Sequence, residues 1–158
     1  MQKIYPREQL SHLLESSSPD NLTVGFANGC FDILHVGHLR YLQDARAYCD
    51  ILVVAVNDDQ SVHRLKGSGR PLIPLSERME LVAALQVVDF VTFFGEDTVE
   101  QTLRILKPDI QFKGTDYTPD TVPERHIMKE LGGRVMIVGD PKDHSTTEMI
   151  QKLEDTEQ

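Results

Sequence analysis

The chain has 158 residues, 40% of them hydrophobic, and a formal net charge of −9. That length suits one domain with a sizeable core. The acidic balance argues against nonspecific nucleic-acid binding, and no apolar run approaches the roughly 20 residues of a membrane span. The first residues show no signal-peptide pattern. With two cysteines, reduced thiols and a cytoplasmic location are expected. An acidic protein still takes an anionic substrate where donors cluster locally.

Residues 6–15 carry Leu10, Leu13 and Leu14 on one face of a short amphipathic helix. Ser16 to Asn21 is turn chemistry. Thr23-Val24-Gly25-Phe26-Ala27 then reads as a buried strand, and it runs into Asn28-Gly29-Cys30-Phe31-Asp32-Ile33-Leu34-His35-Val36-Gly37-His38. Beyond that, Leu39, Leu42, Ala45 and Cys49 recur at helical spacing. The stretch is therefore a strand-to-helix turn opening a βαβ unit. In open α/β sheets ligands bind at the carboxyl ends of strands, beside helix N-termini. Free N–H groups there, with a dipole charge of roughly +0.5, attract phosphate.

A helix starting near Val36 puts His35 and His38 on one side of its first turn. Imidazole N–H groups at that place can donate to charge developing on a transferring phosphate. Gly37 lets the backbone approach a ligand. Two plainer readings stand beside this one. The histidines can be a helix cap and a surface residue. They can also join Cys30 around zinc, although the spacing fits no common zinc pattern and Cys49 lies on a helix face that reads as buried.

Ile51 to Val56 is a continuous apolar run, as in a parallel strand buried on both faces. Asn57, Asp58 and Asp59 end it, either as turn formers or beside a ligand. Residues 61–71 are basic and Gly-rich and are expected to be irregular. Arg64, Lys66 and Arg70 lie close together there and suggest an anion contact on a loop that closes over substrate; a solvated surface loop is the plainer reading. Ser76 is the expected N-cap of a helix over 77–86, with Met79, Val82 and Ala83 inward. A strand follows within 88–93. Thr98-x-x-Gln101 has the capping-box spacing for a helix stopped at Lys107-Pro108.

Residues 109–112 form a short strand that runs into Lys113-Gly114-Thr115-Asp116-Tyr117. Gly114 suits a sharp turn, Lys113 a phosphate and Asp116 a hydroxyl, or the whole segment is an ordinary turn. Thr121-x-x-Glu124 opens a helix to Leu131, closed by Gly132-Gly133. After a last strand at 134–138, Ser145-x-x-Glu148 is a further capping-box pattern. Ser145, Thr146 and Thr147 at that helix start also suit a phosphate. The expected fold class is α/β: a Rossmann-like five-stranded parallel sheet with helices on both faces. The chain is one domain over 1–158, with 1–21 an N-terminal helix and linker.

Gly-x-Phe-Asp-x-x-His-x-Gly-His resembles the signature of the cytidylyltransferase-like nucleotidyltransferase superfamily. Residues 53–57, 61–71 and 113–117 look like the adenylyltransferase domain of ADP-heptose synthases, and the likeness runs from Lys3 to Leu153. The resemblance implies transfer of AMP from ATP to a sugar 1-phosphate, with Mg²⁺ on the nucleotide, pyrophosphate as leaving group and a homodimer as the assembly. It implies catalytic roles for His35, His38 and Lys66. It also implies nucleotide or substrate contacts by Cys30, Phe31, Asp32, Gly37, Lys113, Gly114, Asp116, Ser145, Thr146 and Thr147. Arg78 either reaches the triphosphate or supports the loop; a surface ion pair is its plainer reading. No metal-binding residues of the chain's own are expected. Before Ser145, relatives carry Gly and an aromatic or aliphatic residue, and often an earlier arginine. This chain has Asp143 and His144 there, and Asp140-Pro141-Lys142 before them, where Lys142 can supply some of that charge. Two other readings remain open: a cytidylyltransferase acting on glycerol phosphate or an amino-alcohol phosphate, and a non-catalytic nucleotide-binding protein.

Overall fold

A computed structural model describes residues 1–17, 21–141 and 146–156. Five parallel strands form one sheet in the order β3-β2-β1-β4-β5. They are β1 (Val24–Gly29), β2 (Ile51–Asn57), β3 (Phe90–Phe94), β4 (Ile110–Lys113) and β5 (Arg134–Ile137). The helices are α1 (Arg7–Ser17), α2 (Val36–Arg46), α3 (Asp59–Lys66), α4 (Leu75–Ala83), α5 (Glu100–Leu106), α6 (Arg125–Glu130) and α7 (Thr146–Thr156). The expected fold class and all five expected strands are present, with ends shifted by one or two residues.

The chain builds outward from β1 to β2 and β3, then returns past β1 to place β4 on its other side. The order of building therefore reverses between β1 and β4. Such a switch point leaves a crevice beyond the carboxyl ends of the two strands. Alternating side chains divide the core between the two faces of the sheet. Ala27, Val54, Val56 and Phe112 pack with Leu42, Ala45 and Val82 on one face. Phe26, Val53 and Ala55 pack with Leu10, Leu14, Leu103 and Met128 on the other. Gly25 is forced by close packing: a Cβ there would lie 2.5 Å from Phe112 and 2.6 Å from Cys49 Sγ. The N-terminal segment covers the β3 edge. Tyr5 N–H donates to Val91 O at 3.0 Å and Val91 N–H donates to Lys3 O at 2.9 Å, which leaves less of that edge open to another chain.

Four local expectations are corrected. Residues 61–66 are helical, because α3 starts at Asp59 with the Asp58 carboxylate accepting from Ser61 N–H at 2.7 Å. Ser76 does not cap α4; the helix begins two residues earlier, at Leu75 after Pro74, whose carbonyl accepts from Glu77 and Arg78 N–H. Thr98 does not cap α5, which follows Val99 with no side-chain cap. Thr121 spends its hydroxyl on a local turn, donating to Thr118 O at 3.1 Å, and α6 starts at Arg125.

Candidate active site

A cleft of about 400 Å³ opens at the switch point. Its floor is the end of β1, its sides are the segments after β2 and β4, and the start of α7 closes it. Asn28 of β1 and Lys113 of β4 meet across the floor, with Lys113 Nζ 3.4 Å from Asn28 Oδ1.

His35 is the N-cap of α2, in extended conformation. Its Nδ1 accepts from Gly37 N–H at 3.1 Å, and His38 Nδ1 accepts from His35 N–H at 3.4 Å. The two histidines therefore form a capping box of their own, in the places that Ser or Thr and Glu usually fill. A nitrogen that accepts carries no proton, so each neutral ring holds its proton on Nε2. The rings stack with centroids 3.9 Å apart. Phe31 backs them: it is buried, its φ is +49°, and its ring lies 5.2 Å from that of His38.

Lys66 is the last residue of α3. It is exposed on the cleft wall and has no hydrogen-bond or ionic partner among the described residues. Gly67 and Gly69 follow with φ of +93° and +82° and open space where a Cβ would stand. A side chain would be strained at either position. Arg64 faces elsewhere, donating to Asp97 at 2.9 Å and to Gly95 O at 2.5 Å.

Asp32 lines the cleft, yet both its oxygens are committed to the segment after Gly69. They accept from Leu72 N–H at 2.9 and 3.0 Å, from Ile73 N–H at 3.1 Å and from Arg70 Nε at 2.6 Å. Burial pushes its carboxyl up, but the Arg70 guanidinium and the two N–H donors outweigh that and hold it below the usual carboxylate range. Cys30 lines the cleft half-buried. Burial raises its thiol, while Lys66, Arg78 and Arg70 pull the other way.

Arg78 is neither a surface residue nor part of the cleft lining. It is fully buried. It donates to Cys30 O at 2.6 Å, Asn57 O at 2.8 Å and Ile73 O at 2.8 Å, and to the Asp59 carboxylate at 2.7 Å. It ties together the turn after β1, the end of β2, the strap before α4 and the start of α3. The surface ion pair expected as its plainer reading is replaced by a fully buried guanidinium paired with Asp59.

Lys113, Gly114 and Asp116 all line the cleft. Gly114 is not at positive φ; smallness matters there because a Cβ would come within 3.2 Å of Asp116 Oδ1. Lys113 Nζ sits 5.2 Å from the centre of the Tyr117 ring. Gly37, Thr146 and Thr147 line the cleft too. Thr146 Oγ1 donates to Ile33 O at 3.1 Å, fastening α7 to the signature turn. Ser145, with Lys142, Asp143 and His144, lies outside the described residues. Twelve of the fourteen expected site residues thus line one cleft, with Arg78 behind it.

Sequence reading passed over Asn28, Arg40, Tyr41 and the segment 138–141, which also line the cleft. Tyr41 OH donates to Phe112 O at 2.8 Å, and Gly139 N–H donates to Asp44 at 2.8 Å. Arg40 pairs with Asp140 at 3.2 Å, and Thr115 Oγ1 donates to Asp140 O at 2.9 Å. These bonds hold the β5–α7 connection against α2 and the 113–117 turn. Asn28, one residue before Gly29 at a strand end, was a readable signal; the contacts to 138–141 exist only in three dimensions.

A family model described as cytidylyltransferase-like matches residues 26–156. The chain is 46% identical over 153 residues to the bifunctional protein HldE of Syntrophotalea carbinolica and 44% identical over 151 residues to that of Geobacter metallireducens. It covers 97% and 96% of its own length in those comparisons, and 31% of each relative. A lipopolysaccharide core biosynthesis protein from Thermoplasma volcanium GSS1 superposes with a TM-score of 0.63 at 34% identity, over 75% of this chain and 95% of that one. A pantoate-beta-alanine ligase from Francisella tularensis shares the fold with a TM-score of 0.65 at 14% identity, over 100% of this chain and 79% of that one. The chain belongs to the cytidylyltransferase-like family.

Proposed function

We propose that the cleft transfers AMP from ATP to a sugar 1-phosphate, with heptose 1-phosphate as the acceptor, and releases pyrophosphate. The product would be an ADP-heptose, a precursor for lipopolysaccharide core synthesis. The observation that carries this reading is that the capped histidine pair, Lys66 and Thr146–Thr147 line one cleft at the switch point. The similarity to HldE proteins and to a lipopolysaccharide core biosynthesis protein supports the acceptor class.

An acceptor phosphate oxygen attacks the α-phosphorus, a P–O bond forms, and the bond to the β-phosphate oxygen breaks. The attacking phosphate is ionised at neutral pH, so the site needs no general base. It has to align the reactants and stabilise charge. His35 and His38 donate from Nε2 to the transferring and leaving phosphates. Lys66 neutralises phosphate oxygens, and the 145–147 segment holds the triphosphate. Lys113 and Asp116 orient the acceptor or the ribose. Among the described residues no group of three or more His, Cys, Asp or Glu side chains could hold a metal. In this reading Mg²⁺ would come with the nucleotide as Mg·ATP and would neutralise charge on the triphosphate. The same reading takes a cytoplasmic homodimer; no helix among the described residues is long and apolar enough to cross a membrane.

The test is a matrix of ATP, CTP, GTP and UTP against heptose 1-phosphate, glucose 1-phosphate, glycerol phosphate and amino-alcohol phosphates, read by pyrophosphate release. The highest kcat/KM is expected for ATP with heptose 1-phosphate. A preference for CTP with glycerol phosphate or an amino-alcohol phosphate would replace this reading with a cytidylyltransferase. No pyrophosphate from any pair would leave a nucleotide-binding protein.

A further inference from the structure

We propose that Arg70 is an anion-binding residue of the cleft, preset by buried Asp32 to present its Nη groups to a phosphate of one of the two substrates. The inference rests on the transfer reading above. Arg70 lines the cleft, and its side chain is only 14% exposed. Its Nε is taken by Asp32 at 2.6 Å, while its two Nη groups make no hydrogen bond among the described residues. A guanidinium is always charged and carries five donors. The Arg70 Nη groups are not among the buried unpartnered atoms, so they stay open to the cleft, where an oxyanion can take a charge-assisted, two-pronged contact.

Asp32 makes the arrangement rigid. Its side chain is 1% exposed, and the backbone N–H groups of Leu72 and Ile73 hold both oxygens. With Nε anchored to a fixed acceptor, the guanidinium plane has little freedom left. That is the preorganisation a planar, two-pronged phosphate contact requires. Lys66 stands four residues earlier on the same wall and adds a point charge. Arg64 is turned away to Asp97 and Gly95. Two of the three cations in this basic stretch therefore serve the cleft. Asp32 touches no substrate in this scheme; it is a positioning residue that acts through Arg70.

The test uses isothermal titration of the wild-type chain, Arg70→Lys, Arg70→Met, Asp32→Asn and the Asp32→Asn/Arg70→Met double variant. The probes are Mg·ATP, inorganic pyrophosphate and heptose 1-phosphate, each alone. Arg70→Lys keeps the charge and loses the fork, so at least one probe should bind roughly tenfold or more weakly. Loss with ATP and pyrophosphate assigns Arg70 to the nucleotide; loss confined to heptose 1-phosphate assigns it to the acceptor. Asp32→Asn should weaken the same probe, raise its KM more than it lowers kcat, and add nothing once Arg70 is Met. Wild-type affinity for all three probes in Arg70→Lys would overturn the assignment. A full Asp32→Asn loss persisting in the Arg70→Met background would overturn the positioning role. Arg70→Lys leaves Asp32 its charged partner, so the central comparison stands even if Asp32→Asn does not fold. A wild-type chain that releases no pyrophosphate from any pair refutes the transfer reading alone, because the titrations still decide whether Arg70 binds a phosphate.

Discussion

Replacing Arg78 tests whether a buried cation holds the site together. Arg78→Met keeps most of the side-chain volume and removes every donor. Three backbone carbonyls lose their partner, those of Cys30, Asn57 and Ile73, and so does the Asp59 carboxylate. Asp59 is 48% exposed and is resolvated at little cost. The carbonyls are different, because the side chain that met them is fully buried. A buried acceptor left unmet costs about 1–3 kcal/mol. Apolar burial of the methionine gives back part of the total, as does release from desolvating a guanidinium. The net loss should be about 3–5 kcal/mol. For a domain of this size that corresponds to a fall in Tm of about 10 °C. Thermal unfolding followed by circular dichroism measures it. Arg78→Lys should fall between, since one ammonium cannot span four acceptors in three directions. A Tm within about 3 °C of wild type for Arg78→Met would refute the claim that these bonds hold the turn, the strap and α3 together.

Three further outcomes are expected. His38→Ala should lose about 10²-fold or more in kcat while ATP affinity changes far less, as for one donor to transition-state charge; wild-type turnover would remove His38 from the chemistry. Lys66→Ala should impair turnover, and in the wild type trypsin cleavage at Lys66–Gly67 should slow when ATP and heptose 1-phosphate are bound together. Motion there is limited to the 67–69 hinge by the Asp32 clamp, so equal cleavage with and without ligands would count against closure. Burial pushes the Cys49 thiol up to about 11, against about 8.5 for a free thiol. The folded state prefers the protonated form, so this contribution is complete below about pH 8.5 and is lost as pH rises toward 11. Stability should fall over that window, and Cys49→Ala should flatten the fall.

The strands were legible because continuous apolar runs bounded by turn residues leave few other readings, and the histidine signature was legible as a pattern at a strand-to-helix turn. Helix starts were less so. Ser76, Thr98 and Thr121 all have cap-forming side chains, yet the chain's path offered α4, α5 and α6 other first residues, and Thr121 found a nearer partner in Thr118. α3 was hidden because only Ser61 and Val62 of its eight residues are buried. The Asp58 cap, three residues before Ser61, was its readable signal. Arg78 also left a trace. It stands four residues before Val82, on the same stripe of α4, and both are fully buried. A charge at an inward position implies acceptors waiting for it, but sequence cannot say which carbonyls those are. The Asp32–Arg70 pair spans thirty-eight residues, and no periodicity reports a contact at that separation.

The histidine pair shows why the best-read stretch is also the most constrained. A helix N-terminus offers unmet N–H groups, and a phosphate site needs exactly such groups left available. His35 and His38 meet both needs by using the two ring nitrogens differently. Nδ1 of each ring turns back to satisfy a backbone donor of the first turn. That bond fixes the ring's orientation and puts its proton on Nε2, on the far side of the ring. Aspartate would cap the helix equally well but would present only acceptors, which repel phosphate, and serine would have to cap and donate from the same oxygen. Lysine would attract phosphate but could not cap. Imidazole alone among these side chains accepts at one end and donates at the other. Phe31 behind His38 and the stacking of the two rings help to hold that orientation. The spacing of the two histidines follows from the geometry of an N-cap and its third helical residue, so folding and the proposed phosphate chemistry would select the same two positions.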